Sequence, residues 1–129
     1  MTDDAVKAEL DAAAEALADA RVLGDGGGSD AAVANRLYYA CFHAARATLY
    51  EHGGVAGSHA RVISRFGEIV ISEGRLDSKH GRTLNELYQQ REEADYSPAE
   101  ADIDVGESFD DAEAFVNAVR GLLGTDRPD

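Results

Sequence analysis

Apolar residues recur along this chain at intervals of three and four, and no stretch alternates in the manner of a strand. Five such stretches stand between breaks rich in glycine, serine and proline. The first, residues 3–23, sets Val6, Leu10, Leu17 and Leu23 among alanines of high helix propensity. Thr2 or Asp3 is placed to cap it, and the acids of its first turn suit the positive end of the helix dipole. GDGGGSD, residues 24–30, reads as a flexible Gly-rich connector. It is not a phosphate loop, because no Gly-Lys-Ser/Thr follows and no strand precedes it. Ser29 or Asp30 then caps a second helix running to about Glu51. After the break HGGVAGSH, Ser58 caps a third helix that holds Val62, Ile63, Phe66, Ile69, Val70 and Ile71 and is closed by Gly74. Asp77 or Ser78 opens a fourth, through Leu84, Leu87, Tyr88, Arg91 and Ala94, which ends near Tyr96 where Ser97-Pro98 stops it. An acidic link leads to a fifth with Phe109, Ala112, Phe115, Val116, Val119, Leu122 and Leu123, followed by Gly124 and a polar tail, residues 125–129. The expected architecture is one all-α domain over residues 1–129, an up-and-down bundle of four to five helices.

The second helix is the one around which the others are expected to gather. Its heart, NRLYYACFHAAR, has neither proline nor glycine. At a helical period Leu37, Tyr38, Cys41, Ala44, Ala45 and Thr48 share one face, and Asn35, Arg36, Tyr39, His43, Arg46 and Tyr50 share another. The small residues Ala34, Ala40, Ala44 and Ala45 allow close approach of neighbouring helices, and the rings fill what remains.

Composition changes this picture in three ways. The single cysteine, Cys41, excludes an intramolecular disulfide and a Cys-based zinc site, and its apolar neighbours mark it as a small buried hydrophobe. No apolar run approaches the roughly 18 residues of a membrane span, and the acidic start lacks the apolar core of a signal peptide, so the expected compartment is the cytoplasm. The net charge of −13, with two Lys against ten Arg and fourteen Asp against eleven Glu, suggests the high-salt cytoplasm of a halophile, such as a halophilic archaeon. Molar salt shortens the Debye length to about 3 Å, so the acidic coat speaks of solvation more than of partners. The charge is unevenly spread. Residues 35–91 carry eight Lys/Arg and five Asp/Glu, whereas the rest carries four and twenty. A locally basic middle in an acidic chain is what a phosphate-bearing ligand needs.

The candidate chemistry gathers on that middle. No two of His43, His52, His59 and His80 stand four apart on one helix, and no His-Glu-x-x-His occurs, so neither a metal nor another cofactor is expected. Along the second helix, Arg36, Tyr39, His43, Arg46 and Tyr50 form one stripe. It is either a helix–helix seam, its arginines paired to acids such as Glu86 or Asp95, or an anion site. In the second case Arg grips phosphate, Tyr stacks on a base and His exchanges a proton near neutral pH. A second constellation is LYQQREEADY, where Arg91 and Asp95 are an i, i+4 pair that either decorates the surface or orients the guanidinium toward a cleft.

NRLYYACFHAARATLYEHG, a histidine opening the next helix (His59), F-x-x-x-V, and then LYQQREEADY resemble, in that order, the HEPN-domain family, in particular its small stand-alone branch. The resemblance implies a bundle of four to five helices, often a homodimer, frequently encoded beside a minimal nucleotidyltransferase as a toxin–antitoxin pair. Many members are metal-independent ribonucleases whose signature is Arg, a short spacer and His. Arg91 matches the Arg of that signature, and Tyr96 stands about where its His would be. The same loose spacing recurs at Arg36/His43, Arg46/His52 and Arg75/His80, the last across a helix boundary. The expected function is a HEPN-like module that binds nucleotide or RNA, or pairs with a minimal nucleotidyltransferase. Its alternatives are a metal-independent endoribonuclease toxin and a non-catalytic helical dimerisation module. Arg91, His43 and Tyr96 are the candidate catalytic residues, and Arg36, Tyr39, Arg46, Asp95 and His59 the candidate binding residues.

Overall fold

The structure is a computed structural model that describes residues 2–53, 57–97 and 103–124. Its elements are α1 (Thr2–Asp25), α2 (Asp30–Glu51), α3 (His59–Phe66) continued by a π-helical segment (Gly67–Ile71), α4 (Ser78–Tyr96) and α5 (Val105–Leu123). Among the described residues there is no strand. The starts follow from short polar side chains that accept a bond from the first free backbone N–H groups. Ser29 Oγ takes the Ala32 N–H at 3.1 Å, Ser58 Oγ that of Arg61 at 3.2 Å, Asp77 Oδ1 that of Lys79 at 2.9 Å and Asp104 Oδ1 that of Glu107 at 3.0 Å. At the other end of α5, Gly124 adopts the left-handed conformation at φ 73°, which a residue with a Cβ reaches only at a cost. Pro98, most of the acidic link, residues 54–56 and the tail, residues 125–129, lie outside the described residues.

Two local expectations change. Residues 24–30 are not all connector, because α1 runs through Asp25. The turn that follows is tied down: the Gly28 N–H reaches the Leu23 carbonyl at 2.6 Å, and a Cβ on Gly28 would stand 2.8 Å from that oxygen. Glycine is required there by close approach. The third helix also does not stay α-helical to Ile71. From Gly67 the bonds lengthen to i→i+5, as in the Ser72 N–H to the Gly67 carbonyl at 2.9 Å. Val62, Phe66 and Val70 are each four residues apart and all buried. A plain α-helix would let that row drift around its axis, and the wider turn brings Val70 back over the core.

α2 packs against α1, α3, α4 and α5. Leu37, Tyr38, Cys41, Ala44, Ala45 and Thr48 are fully buried, and Asn35, Arg36, Tyr39, His43, Arg46 and Tyr50 are partly exposed, in accord with the two faces read from the sequence. α1 runs antiparallel to α2 and offers Val6, Leu10, Ala13, Ala16 and Ala20 as a thin apolar stripe. α5 packs on α2 with Ala112, Phe115, Val116 and Val119, meets α1 through Arg21 and Glu113 at 3.0 Å, and the Phe66 and Phe115 rings meet at 5.2 Å. The few buried polar groups are mostly satisfied. Thr48 Oγ1 donates to the Ala45 carbonyl at 2.6 Å, and Ser108 Oγ bonds Gln90 across α4 and α5 at 3.1 Å. The Cys41 thiol lies 3.9 Å from the Ala112 carbonyl, and burial raises its pKa, so it stays a protonated, inert filler. No helix of the described residues is long and apolar enough to cross a membrane.

Two tests follow from this packing. Ala44→Leu adds volume at a site with no space, and is expected to cost about 1–3 kcal/mol in urea unfolding. Ala8→Leu, on the exposed face of α1, should leave the midpoint nearly unchanged. The second concerns His80, buried in α4 with its ring edge-on to Phe115 at 5.8 Å and its Nδ1 without a hydrogen-bond partner among the described residues. Burial, helped by Lys79 and opposed by Asp77 and Asp111, lowers its pKa from 6.5. The unfolded chain then binds the proton more readily, so stability is complete above about pH 6.5 and is lost as pH falls below it. His80→Gln should flatten the fall in thermal midpoint between about pH 7 and pH 5, leaving the share that belongs to the similarly shifted His59.

Candidate functional site

The partly exposed face of α2 meets the first residue of α3 and the middle of α4. There the structure assembles the cationic and aromatic side chains into one continuous cluster. Its anchor is Tyr38, whose ring is buried and whose hydroxyl lies 2.7 Å from His59 Nδ1. Burial holds the phenol far above its ordinary pKa, so it keeps its proton, and the contact is a neutral hydrogen bond. The His59 imidazole is also stacked on Phe42, centroids 4.2 Å apart and planes 10° off parallel. Ser58, the cap of α3, sets the position of that ring, because His59 is the first residue of the helix it starts.

Guanidinium groups cover the remaining ring faces. Arg91 reaches from α4 over both Tyr38 (5.6 Å) and Tyr39 (5.5 Å), Arg36 lies over Tyr39 (5.1 Å), and Arg46 over Phe42 (5.7 Å) and Tyr50 (5.9 Å). Each guanidinium has a polar neighbour along one edge. Arg36 donates from Nε and Nη2 to Asn35 Oδ1 at 3.2 and 2.9 Å. Arg46 Nη2 donates to the Tyr50 hydroxyl at 3.4 Å, and its Nε stands 3.3 Å from Glu9 Oε2, near enough to attract but not aligned for a hydrogen bond. Arg91 Nε is 3.8 Å from Asp95 Oδ2, an ion-pair distance rather than a bond. Both Nε atoms are buried without a hydrogen-bond partner among the described residues, an uncommon condition for so polar a group.

The acid that enters the cluster is Glu9, from α1. Its Oε1 lies 2.8 Å from His43 Nδ1 while its other oxygen faces Arg46, and its side chain is only 12% exposed. A carboxylate so placed orients one imidazole and partly neutralises one guanidinium. His59 is left in a positive field. Its pKa is lowered by burial first, then by the charges of Arg91, Arg46 and His43, so it is neutral at pH 7.

Of the candidate residues, Arg36, Tyr39, His43, Arg46, His59 and Arg91 lie in this cluster. Asp95 touches it only at its edge, through Arg91, and is more than half exposed. Tyr96 is 84% exposed on the last turn of α4, with no hydrogen-bond or ring partner among the described residues. Glu86 is exposed, and with Asn85 it lines a shallow surface groove that also involves Gly67, Ile71, Ser78, Gly81 and Arg82. The acid expected opposite Arg46 therefore came from α1 and not from α4. Tyr38, expected only in the core, also supplies the hydroxyl that holds His59. Its spacing gave no sign of this, since the partner lies in another helix. Arg75 is tied to the Ile69 carbonyl at 3.2 Å and His80 packs on Phe115, so that pair has no part in the cluster. Among the described residues no group of His, Cys, Asp and Glu could hold a metal ion.

Comparisons with known proteins bear on the chain as a whole. The HEPN domain model matches residues 6–125. A protein of Methanocaldococcus jannaschii named "Putative toxin MJ0605" is 34% identical over 119 residues, which cover 92% of this chain and 88% of that protein. A UPF0332 protein of Thermotoga maritima is 28% identical over 113 residues, 86% of this chain and 85% of its own. Another from Gloeobacter violaceus is 37% identical over 90 residues, covering 70% and 71%. With a match that spans all five helices, and a relative aligned along most of both lengths, this chain belongs to the HEPN domain family.

Proposed function

We propose that this chain is a HEPN module of the toxin–antitoxin type that binds the phosphate of a nucleotide or RNA between Arg36, Arg46 and Arg91, and that it works beside a minimal nucleotidyltransferase partner. The observation that carries the reading is the cluster in which Arg46 and Arg91, from two helices, act on a neutral imidazole, with Arg36 joined to it through the Tyr39 ring and Glu9 beside Arg46. Guanidinium groups hydrogen-bonded along one edge, Arg36 to Asn35 and Arg46 to Tyr50, have lost part of the rotamer freedom that binding would otherwise cost. Their remaining N–H groups suit phosphate oxygens. The name of the Methanocaldococcus jannaschii relative points to the same biological class. Partnership with a nucleotidyltransferase, and a homodimer that sets two such clusters side by side, belong to this proposal.

A second reading is metal-independent RNA cleavage. One contact favours it: Glu9 holds the His43 imidazole at 2.8 Å, the carboxylate–imidazole arrangement that orients a proton-transferring histidine. Arg91 and Arg46 would stabilise the charge that develops on the phosphorus oxygens, and His43 would move the proton.

In fluorescence anisotropy with single-stranded RNA, Arg46→Gln and Arg91→Gln should each weaken binding about tenfold or more, the scale of a lost charge-assisted pair. A phosphate brought to His59 raises its pKa, so affinity should rise as pH falls through the histidine range, and His59→Gln should remove most of that rise. Unchanged affinity in the arginine variants rejects the site. For the second reading, incubation with RNA and a chelator should yield cleavage products that His43→Ala and Arg91→Ala each abolish while circular dichroism stays native. Cleavage that survives both changes rejects that mechanism.

A further inference from the structure

The two histidines of the cluster, His43 and His59, flank the same pair of rings. Their centroids stand 6.3 and 5.8 Å from that of Tyr39, and 5.7 and 4.2 Å from that of Phe42, so one ligand can touch both. Each is bonded at Nδ1 and has no hydrogen-bond partner at Nε2 among the described residues. What differs is the partner. A carboxylate only accepts, so with Glu9 Oε1 at 2.8 Å the hydrogen of the neutral His43 ring sits on Nδ1, and Nε2 keeps its lone pair. Tyr38 has the opposite effect. Its side chain is fully buried, and among the described residues its hydroxyl has no neighbour to bond but His59 Nδ1. A buried hydroxyl proton needs an acceptor, and it would have none if Nδ1 carried a hydrogen. Nδ1 therefore accepts at 2.7 Å, and the hydrogen of the His59 ring is on Nε2.

We propose that Glu9 and Tyr38 lock the two histidines in opposite tautomers, so that His43 offers a bare Nε2 to take a proton and His59 an Nε2–H to donate a hydrogen bond. The ligand that fits this pair presents a hydroxyl beside an anionic oxygen, as a ribose 2′-hydroxyl does beside its phosphate. The inference rests on the cleavage reading above and divides the labour within it. The 2′-oxygen bonds to phosphorus as the bond from phosphorus to the 5′-oxygen breaks. The 2′ proton passes to His43 Nε2 and from there to the departing 5′-oxygen, which leaves a 2′,3′-cyclic phosphate and a 5′-hydroxyl. His59 gives up no proton. Its Nε2–H donates to a non-bridging oxygen as charge grows there, the part a neutral imidazole can play, and at neutral pH the Tyr38 hydroxyl closes Nδ1 to a second proton. Glu9 and Tyr38 are positioning residues, each acting through the ring it bonds.

Long-range proton–nitrogen correlation spectra of the histidine-labelled protein need no variant. At about pH 9, well above the ordinary imidazole range, they should show His43 in the Nδ1–H form, which free histidine disfavours, and His59 in the Nε2–H form. Both rings as Nε2–H, or either as an even mixture, overturns the inference and leaves the cleavage reading standing. Glu9→Gln, whose amide both donates and accepts, should turn His43 into a mixture, and Tyr38→Phe should do the same for His59, with the His80 signals unmoved in both. In RNA cleavage with a chelator present, His43→Gln should lose about a hundredfold or more in kcat, the scale of a missing general base. His59→Gln keeps an amide N–H near the Nε2 position and should retain about tenfold more activity than His59→Leu, roughly the scale of one directed donor. Equal losses in those two variants overturn the donor role of His59. Cleavage that Glu9→Gln and Tyr38→Phe leave unchanged overturns the positioning roles even where the tautomers are as expected. No cleavage by the unaltered protein rejects the cleavage reading and, with it, the division of labour, whatever the spectra show.

Discussion

Everything in this molecule follows from a helix with too few open sides. α2 is covered by α1, α3, α4 and α5, so twelve of its residues are buried and only a narrow edge meets solvent. Alanine makes this possible. Ala34, Ala40, Ala44, Ala45 and Ala47 bring four neighbours close to one axis, and few large side chains are then needed to fill the gaps. A polar residue on such a helix has one place to go, and Arg36, Tyr39, His43, Arg46 and Tyr50 all emerge along the same edge. Crowding by tertiary packing, and not any local motif, is what concentrates positive charge in a protein of net charge −13.

The crowding is bearable because the cations rest on rings. A guanidinium over a tyrosine or phenylalanine recovers electrostatic energy from the ring quadrupole without needing an acid for each charge. That accounts for a cluster with three arginines and two histidines that draws only one carboxylate from α1. Burial first, and then the like charges of Arg91, Arg46 and His43, disfavour protonation of His59 and lower its pKa. The same features that keep the cluster stable when empty leave it receptive to an anion.

Much of this was legible in the sequence. The division of α2 into a buried and a half-open face is a matter of period, and a spacing of three and four is preserved in any helix. The caps at Ser29, Ser58 and Asp77 are equally local, since each side chain bonds a backbone group two or three residues ahead. Glu9 was not legible. Any of twenty-five acids had the right charge to face Arg46, and the register of α1 against α2 alone selects one. The bond between Tyr38 and His59 is hidden for the same reason: it joins residues 21 apart through the placement of α3. The Gly-rich stretch after α1 was legible as a break, but the close approach of Gly28 to the Leu23 carbonyl exists only in the folded turn and left no mark in the sequence.

The π-helical segment Gly67–Ile71 is, in effect, a one-residue surplus stored in the backbone. Upstream of it lies the imidazole of the cluster, and within it Val70 faces the core. Deleting one residue here would remove the surplus and leave both ends in phase as a plain α-helix, whereas forcing every residue of the segment into α-geometry would swing one end against the other by about 100°. Either the imidazole or the valine would then face the wrong way. The wider turn is therefore what keeps chemistry and core in angular phase, so a relative one residue shorter here would present the same face to the same ligand through a plain α-helix.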